Sequence, residues 1–393
     1  MKRIAFFIQH MLGGGVEKSL ISLTNYLIEK GNSVTVYMMR KEGPFLSLFH
    51  PSVRLKAIPM PRSVSDILPV GGTKVAVKEN LDRGHYFTAF RLLSRRLVHR
   101  AEFAELDVDF RKIPALKEKY DIAVNYHLHA PFLLRYVKEK VEAPVKYAWI
   151  HNDFSSTDYH IEKLARYLNV YRYFFCVSQQ VQKEFAQICP RLGKRSRVAL
   201  NLLPRDEILE KSEEGFPREF RTVPKDCLKI LSVGRLEWQK GFDIAIEVGR
   251  ILLCRGDSFC WFVVGEGVER RKLEKLIRKN GLQGRFRLLG LRMNPYPYYR
   301  NADLYVQTSR HEGYGITLAE AKIFHLPIVC TDVAGAREQI KDGVTGDIAE
   351  IEAAEIAKKL HKLILDEDRR FAFKEKLMEN EYQNNAEWLS AFD

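Results

Sequence analysis

The sequence has few cysteines, no long apolar run and no excess of acidic residues. Six cysteines occur among 393 residues. None belongs to a C-x-x-C pair, so they are typical of small core side chains rather than of disulfides or a zinc site. No apolar run approaches the roughly 20 residues of a membrane span, and Met1-Lys2-Arg3 leads directly into an apolar run without a signal-type segment. These absences predict a cytoplasmic protein that is soluble or peripheral to a membrane.

Length and positive charge are what the chain does have. A chain of 393 residues is longer than one ordinary hydrophobic core accommodates, which predicts two domains. The net charge of +13 favours acidic partners, such as nucleic acid, anionic lipid or a phosphorylated substrate. No recognisable nucleic-acid-binding motif accompanies that charge, so we expect no nucleic-acid partner.

Short apolar runs alternate with amphipathic helical patterns along most of the chain. The runs lie at residues 4–8, 33–39, 121–126, 145–150, 174–178, 229–234, 261–265, 286–290, 303–309 and 327–332. This alternation predicts right-handed βαβ units, and hence an α/β protein with two doubly wound parallel sheets. Ligands bind at the carboxyl ends of the strands in such sheets, so we expect a site in a cleft between two facing domains.

Domain limits follow from interruptions of this alternation. Residues 201–226 carry three prolines and dense charge without an apolar run, which is typical of a boundary. We therefore predict a Rossmann-like N-terminal domain at 1–205 and a second one at 206–375. A final helix at 376–393 is expected to pack back on the first domain.

Residues 62–115 do not follow the alternation and resemble a mostly helical insertion. Four apolar residues recur there near helical spacing, beside four arginines: Phe87, Phe90, Leu93 and Leu97 with Arg91, Arg95, Arg96 and Arg100. A basic amphipathic helix of this kind can lie on an anionic membrane surface. The alternative is a surface helix whose apolar side packs on its own domain.

The three glycines Gly13–Gly15 stand between the first apolar run and a helical pattern. A strand, a glycine-rich turn and a helix start commonly bind an anion through free N–H groups. A dinucleotide fingerprint would need glycine at Lys18, and a P-loop would need glycine at Leu12 and Glu17. The pattern thus favours close backbone approach to an anion, without a nicotinamide or ATP site.

Two loops of the second domain carry further candidate residues. In residues 232–242 (SVGRLEWQKGF), Arg235 and Lys240 could hold a diphosphate, although a solvated surface loop is the alternative. In residues 309–321 (SRHEGYGITLAEA), Glu312 precedes a helix that begins near Gly315 and contains Glu320. Carboxylates on the order of 10 Å apart suit two ends of one ligand better than a retaining glycosidase pair.

The spacing from Glu312 to Glu320 resembles the E-x7-E motif of retaining GT-B glycosyltransferases of family four. The segments SVGRLEWQKGFD, VVGEG, LPIVCTD and DGVTG resemble that family's second domain in order, and GGGVEKSL and WIHND resemble its first. The resemblance covers nearly the whole chain apart from residues 62–115. One departure is Ala334-Gly335, where family members often carry two glycines.

The resemblance implies a GT-B fold and a role for each matching residue. Arg235 and Lys240 would bind the donor diphosphate, Glu312 would contact donor-sugar hydroxyls, and Glu320 would hold the ribose. His151 would face the donor sugar from the opposite domain, and Gly14 and Gly15 would line the phosphate- and acceptor-facing edge. The implied catalytic residues are His151, Arg235, Lys240 and Glu312, and the implied donor-binding residues are Gly14, Gly15, Gly234, Arg235, Lys240, Glu312, Gly313, Tyr314, Gly315, Ile316 and Glu320.

The resemblance also implies a reaction. A hexose or N-acetylhexosamine would pass with retention from a UDP-linked donor to a hydroxyl of a glycan or lipid-linked acceptor. The basic first domain favours an anionic or membrane-bound acceptor, such as a polyprenyl-diphosphate-linked glycan, at the inner face of the plasma membrane. No D-x-D motif follows a strand, so we expect no metal and no cofactor. The alternatives are a nucleotide-sugar 2-epimerase of the same fold, and a non-catalytic partner that binds a nucleotide sugar.

Overall fold

The computed structural model describes residues 1–61, 109–152, 154, 161–380 and 387–393, with a few isolated positions between 64 and 90. It divides into two compact units. Unit 1 comprises Met1–Ala199 and Ala386–Asp393, and unit 2 comprises Leu200–Asn385. Most of the insertion predicted at 62–115 lies outside the described residues. So does its basic amphipathic stretch, except that Phe90 is described and exposed.

Unit 1 contains a parallel sheet with the strand order β3-β2-β1-β4-β5-β6-β7 in its described part. The strands are β1 (Arg3–Ile8), β2 (Ser33–Met38), β3 (Arg54–Ala57), β4 (Ile122–Asn125), β5 (Val145–Ile150), β6 (Tyr173–Cys176) and β7 (Ser196–Val198). The described α-helices are α1 (Gly15–Glu29), α2 (Pro131–Lys140), α3 (Ala165–Leu168), α4 (Gln179–Ile188) and α5 (Pro190–Gly193). Five consecutive residues of β1 are buried, as expected for a parallel strand covered on both faces.

The last residues of the chain complete the core of unit 1. A 3-10 helix at Glu387–Phe392 places the Trp388 ring 5.2 Å from that of Trp149, centroid to centroid. The Phe392 ring lies 6.3 Å from that of Phe6, and the Tyr147 hydroxyl donates to the carbonyl of Ala391 over 2.8 Å. The preceding α-helix ends at Glu379 and belongs to unit 2.

Unit 2 contains a second parallel sheet, with the described order β10-β9-β8-β11-β12-β13. Its strands are β8 (Leu228–Val233), β9 (Phe259–Val264), β10 (Phe286–Gly290), β11 (Leu304–Gln307), β12 (Ile328–Thr331) and β13 (Asp347–Ala349). Its described α-helices are α6 (Arg205–Lys211), α7 (Phe242–Cys254), α8 (Arg270–Lys279), α9 (Tyr296–Asn301), α10 (Ile316–Ile323), α11 (Ala336–Gln339), α12 (Ala353–Leu365) and α13 (Glu367–Glu379).

Alternate residues of the unit 2 strands enter two separate hydrophobic cores. On β9, Trp261 joins the core that contains Leu252 of α7 and Leu360 of α12. The next residue, Phe262, joins the core on the other face, with Tyr299 of α9. Both faces of the sheet are therefore covered, and its polar groups are left at the strand ends.

The cysteines form no disulfide, and five of the six are buried. Cys254, at the end of α7, is exposed, so the prediction that all six lie in the core was wrong at this position. The thiols of Cys227 and Cys260 lie 3.6 Å apart, and both residues are buried. Among the helices of the described residues, none combines the length and the apolar character that a membrane crossing requires.

Candidate active site

The candidate residues of each unit lie where the strand order changes direction along the sheet. In unit 2, β8 lies between β9 and β11. The chain after β8 leads towards β9 on one side, and the chain after β11 leads towards β12 on the other, so the two loops begin next to each other at the edge of the sheet. In unit 1, β1 stands in the same relation to β2 and β4. Such switch points are the usual ligand sites of open parallel sheets. Arg235 and Lys240 follow β8, and Glu312 follows β11.

Lys240 and Glu312 form an ion pair between these two loops, 72 positions apart in the sequence. The side chain of Glu312 is 8% exposed and that of Lys240 is 17% exposed. The Ser309 hydroxyl donates to the same Glu312 oxygen over 2.8 Å. The pair is thus largely shielded from water. Charge–charge interactions are stronger in such a shielded environment than in bulk solvent.

Backbone contacts hold the two loops together beside this ion pair. Gly241 has φ +65°, and an added Cβ would lie 2.0 Å from the carbonyl oxygen of Thr308. The Thr308 hydroxyl donates to the carbonyl of Gly241 over 2.9 Å, and the Gln239 side chain donates to the carbonyl of His311 over 2.9 Å. Glycine is therefore required at the end of the β8 loop, because only a residue without Cβ allows this approach.

Arg235 presents a more accessible cation on the same loop. Its side chain is 46% exposed and lies 3.1 Å from the Glu237 carboxylate. Gly234 precedes Arg235. The aliphatic part of the Lys240 side chain packs against Gly234, where an added Cβ would lie 3.4 Å from Lys240 Cδ. One shielded and one accessible cation are thus available for phosphate oxygens.

The segment Gly313–Ile316 leads into the N-terminus of α10. Gly315 caps this helix with φ +84°, and its first turn carries no acidic residue. Gly335, with φ +78°, packs beneath the segment: an added Cβ would lie 2.7 Å from the Tyr314 carbonyl oxygen and 3.1 Å from that of Gly313. In the Ala334-Gly335 pair, the glycine therefore stands at the position where a side chain would collide.

Glu320 is fully buried within α10. Its carboxylate accepts a hydrogen bond from the Tyr299 hydroxyl over 3.0 Å and another from the Tyr296 hydroxyl over 3.4 Å. Burial and the nearby Glu320 carboxylate raise the pKa of Tyr299, so this hydroxyl remains a donor at neutral pH. Ribose binding by Glu320 stays a prediction. The two tyrosines on α9 were missed, although the run YPYY after β10 was available as a signal.

In unit 1, the glycine turn differs electrostatically from the start of α10. Gly14 is the extended N-cap of α1, and Gly15 is its first residue. Glu17 lies buried in the first turn, with a carboxylate oxygen 3.4 Å from His10 Nδ1. A carboxylate at this end already complements the helix dipole. Of the two helix starts, that of α10 is therefore the more favourable for a phosphate.

His151 directly follows β5 and is 7% exposed. Burial lowers the pKa of its imidazole well below the ordinary value, and the charge of a neighbouring histidine, His127, lowers it further. The ring lies 4.7 Å from that of Tyr126, centroid to centroid. Its Nε2 is buried and has no hydrogen-bond partner among the described residues. His151 is therefore a neutral imidazole at pH 7.

Two histidines that sequence reasoning missed stand beside His151. His127 and His129 follow β4 at the switch point of unit 1, with ring centroids 6.1 Å apart. His127 lies 6.5 Å from His151. Burial and the charge of His127 lower the pKa of His129 to about 3. The signal was the run YHLHAP immediately after an apolar strand pattern.

The predicted site residues thus fall into two groups. Unit 2 brings Gly234, Arg235, Lys240 and Glu312 together with the segment Gly313–Ile316, and it encloses Glu320 behind them. Unit 1 holds Gly14, Gly15 and His151. Within the part of the chain that the structure describes, no group of three or more His, Cys, Asp or Glu residues could hold a metal ion.

The chain shares its fold with solved glycosyltransferases. One of these, HepE of Anabaena in complex with UDP-glucose, matches with a TM-score of 0.72 at 18% identity, covering 100% of both chains. The fold predicted from the sequence is confirmed: the chain has the GT-B fold, an α/β architecture of two doubly wound units.

Sequence comparison assigns unit 2 more narrowly. Residues 216–380 match the family described as glycosyl transferases group 1. This segment therefore carries a domain of that glycosyltransferase family.

Curated relatives agree with this assignment over part of the chain. An alpha-D-kanosaminyltransferase of Streptomyces kanamyceticus is 32% identical over 154 residues, which is 38% of this chain and 39% of the relative. A Campylobacter jejuni enzyme, N-acetylgalactosamine-N,N'-diacetylbacillosaminyl-diphospho-undecaprenol 4-alpha-N-acetylgalactosaminyltransferase, is 33% identical over 149 residues, 37% of this chain and 40% of the relative. The matches thus span about two fifths of these relatives.

Proposed function

We propose that this protein transfers a hexose or N-acetylhexosamine from a UDP-linked donor to a hydroxyl of a glycan or lipid-linked acceptor. The observation that carries the proposal is the shielded Lys240–Glu312 pair at the switch point of a glycosyl transferases group 1 domain. HepE is solved with UDP-glucose, and the Campylobacter relative is named for a diphospho-undecaprenol substrate. The HepE complex agrees with a nucleotide-sugar donor, and the name of the Campylobacter relative agrees with a lipid-linked glycan acceptor.

In the proposed reaction, the bond between the sugar's anomeric carbon and the diphosphate oxygen breaks. The negative charge that develops on the leaving diphosphate is stabilised by Lys240, Arg235 and the N–H groups at the start of α10. Glu312 accepts hydrogen bonds from hydroxyls of the donor sugar, while Ser309 remains bonded to it. Catalysis on this scheme is positioning combined with electrostatic stabilisation.

We propose retention of configuration through attack on the face from which the diphosphate leaves. The acceptor oxygen bonds to the anomeric carbon, and its proton passes to the departing phosphate oxygen. The Glu312 carboxylate is bonded to Lys240 and Ser309, so it suits hydroxyl binding better than nucleophilic attack.

The proposal is tested with purified protein and a panel of nucleotide sugars. Thermal-shift measurements identify the donor, and mass spectrometry then detects UDP release and a glycosylated product. Nuclear magnetic resonance of the product's anomeric proton gives the stereochemistry. Incubation with donor alone separates the alternatives, since a 2-epimerase would form an epimer and a non-catalytic binding protein would form nothing.

We further propose that the protein works peripherally at the inner face of an anionic membrane. The net charge of +13 and the basic amphipathic pattern at residues 87–100 support this location. A polyprenyl-linked acceptor would itself be embedded in such a membrane. This proposal is independent of the donor chemistry, because the pattern that supports it lies outside the donor-binding unit.

A further inference from the structure

Trp238 is an exposed tryptophan in a chain whose other tryptophans are buried. The sequence contains four tryptophans. Trp238 is 54% exposed, whereas Trp149, Trp261 and Trp388 are 8% exposed or less. A large aromatic side chain left in water gives up the favourable free energy of burial. An exposed tryptophan beside a candidate site therefore needs an explanation, whereas a single exposed leucine would not.

The Trp238 ring is held in place by contacts with Arg310 and His311. The guanidinium carbon of Arg310 lies 4.9 Å from the ring centroid. Arg310 also donates to the Trp238 carbonyl over 2.8 Å and forms two bonds of 2.8 Å with the Asp243 carboxylate. The His311 ring lies 5.7 Å away at an interplanar angle of 40°. The indole thus contacts Arg310 and His311, and more than half of the residue faces solvent.

The loop also ties Trp238 to the candidate active site. Trp238 begins the 3-10 helix Trp238–Lys240, whose last residue forms the ion pair with Glu312. The next residue, Gln239, is bonded to the carbonyl of His311. The indole therefore occupies a defined position two residues before the proposed phosphate-binding lysine.

The chemistry around this ring suits a saccharide better than an acyl chain or an apolar peptide. A pyranose ring offers a flat C–H face that packs on an aromatic ring, with hydroxyls at its edge that need polar partners. The half-buried or exposed polar side chains of Arg235, Glu237 and Gln239 flank Trp238 along the loop. An acyl chain would require a contiguous apolar surface, which these neighbours interrupt.

We propose that Trp238 is a stacking subsite for a pyranose ring of the acceptor glycan. This inference rests on the proposed function, in which the donor's sugar and diphosphate already have partners in Glu312 and in Lys240 with Arg235. The supported ring loses little conformational freedom on binding, which favours affinity from a single contact.

The first experiment measures glycan binding directly. Wild-type protein saturated with UDP is applied to a printed array of bacterial glycans, beside Trp238→Ala, Trp238→Phe and the control Phe371→Ala, an aromatic residue on α13 that is 60% exposed. We expect wild type, Trp238→Phe and Phe371→Ala to bind the same glycans. Trp238→Ala should bind them about five- to tenfold more weakly, the effect of one aromatic contact. Equal binding by Trp238→Ala, or no glycan bound by wild type, would overturn the inference.

The second experiment uses the exposure difference among the tryptophans. Acrylamide should quench the emission of Trp238 selectively, because the other three indoles are shielded. The glycan that binds on the array should protect this fraction, and UDP alone should not. Protection by UDP alone, or a weaker UDP affinity in Trp238→Ala with unchanged glycan binding, would assign the ring to the nucleotide base and overturn the inference.

These results are separable from failure of the proposed function. Thermal shift with UDP is measured on the same wild-type and Trp238→Ala samples. If UDP stabilises both proteins and they bind glycans equally, the subsite is wrong while the donor assignment stands. If no nucleotide stabilises wild type, the proposed function fails, whatever the array shows.

Discussion

The Lys240 ammonium and the Glu312 carboxylate form a largely shielded ion pair that joins the loops after β8 and β11. Each residue is thus both a proposed functional group and a structural contact. Removing either charge leaves the other largely shielded without its partner, which is costly in a protein interior. Variants at this pair should therefore be chosen to preserve shape.

Lys240→Met and Glu312→Gln should each lower kcat by about a hundredfold or more, the usual loss when one transition-state contact is removed. UDP release with the identified donor and acceptor measures this effect. The matched control is Lys229→Met, which removes a lysine 2.8 Å from Asp303 near the start of β8. Near-normal turnover in a folded Lys240→Met protein would show that the site is wrongly assigned.

Gly335→Ala should destabilise the protein more than Gly343→Ala does. Both glycines have left-handed backbone, with φ +78° and φ +73°, and this conformation costs a residue with a Cβ about 1–2 kcal/mol. Gly343 has no atom within 4 Å of an added Cβ, whereas at Gly335 the Tyr314 carbonyl lies 2.7 Å away. Overpacking should add about 1–3 kcal/mol at Gly335. Urea unfolding measures both, and equal losses would contradict the collision.

Most strands of the fold were predictable because their apolar runs are long and continuous. The run at 145–150 coincides with β5, and that at 286–290 coincides with β10. The strands β3, β7 and β13 were missed. Their sequences, RLKA, SRV and DIA, interrupt the apolar residues with charged or hydroxyl side chains, so no continuous apolar run marks them. Their pairing depends on neighbouring strands rather than on their own sequence.

The candidate site was predictable in its loops but not in its supporting contacts. The glycines and charges after β8 and β11 mark a ligand site by type and spacing. By contrast, the bonds from Tyr299 to Glu320 and from Ser309 to Glu312 link residues through tertiary packing. No periodicity in one segment encodes which tyrosine of another helix reaches a carboxylate.

Unit 1 should lose stability as the pH falls below about 6.5. Burial places the folded pKa of His129 at about 3, against 6.5 ordinarily, and lowers that of His151 as well. Between the folded and the ordinary pKa, the unfolded chain therefore binds more protons than the folded chain. Lowering the pH in this range favours the unfolded state by on the order of 1 kcal/mol per pH unit for each histidine. Urea unfolding at pH of about 5, 6 and 7.5 measures the slope. His151→Gln should reduce the slope, and an unchanged slope would contradict the prediction.

Transfer should need no divalent cation, since Arg235, Lys240 and the start of α10 would carry the charge of the leaving diphosphate. The test is an assay in excess chelator, with and without added magnesium or manganese. Turnover should be equal in chelator alone, with added magnesium and with added manganese. Loss in chelator that either metal restores would require a different account of how the diphosphate leaves.

The peripheral-membrane proposal predicts salt-sensitive binding to anionic vesicles. Each basic residue near such a surface contributes about 1 kcal/mol, and the attraction weakens as salt shortens the Debye length. Glutamine at positions 91, 95, 96 and 100 should reduce co-sedimentation with anionic vesicles more than it reduces transfer to a soluble acceptor. Unchanged co-sedimentation would favour the alternative, a helix packed on its own domain.

Because Trp388 and Phe392 pack against Trp149 and Phe6, unit 1 is assembled from both ends of the described chain. Unit 2 lies between these two pieces as one continuous segment. During synthesis, unit 2 can therefore complete its fold while the aromatic core of unit 1 still lacks its last members. A nascent or truncated chain that stops at residue 380 would leave the Trp149 surface uncovered, and that surface is where we expect chaperones to bind it.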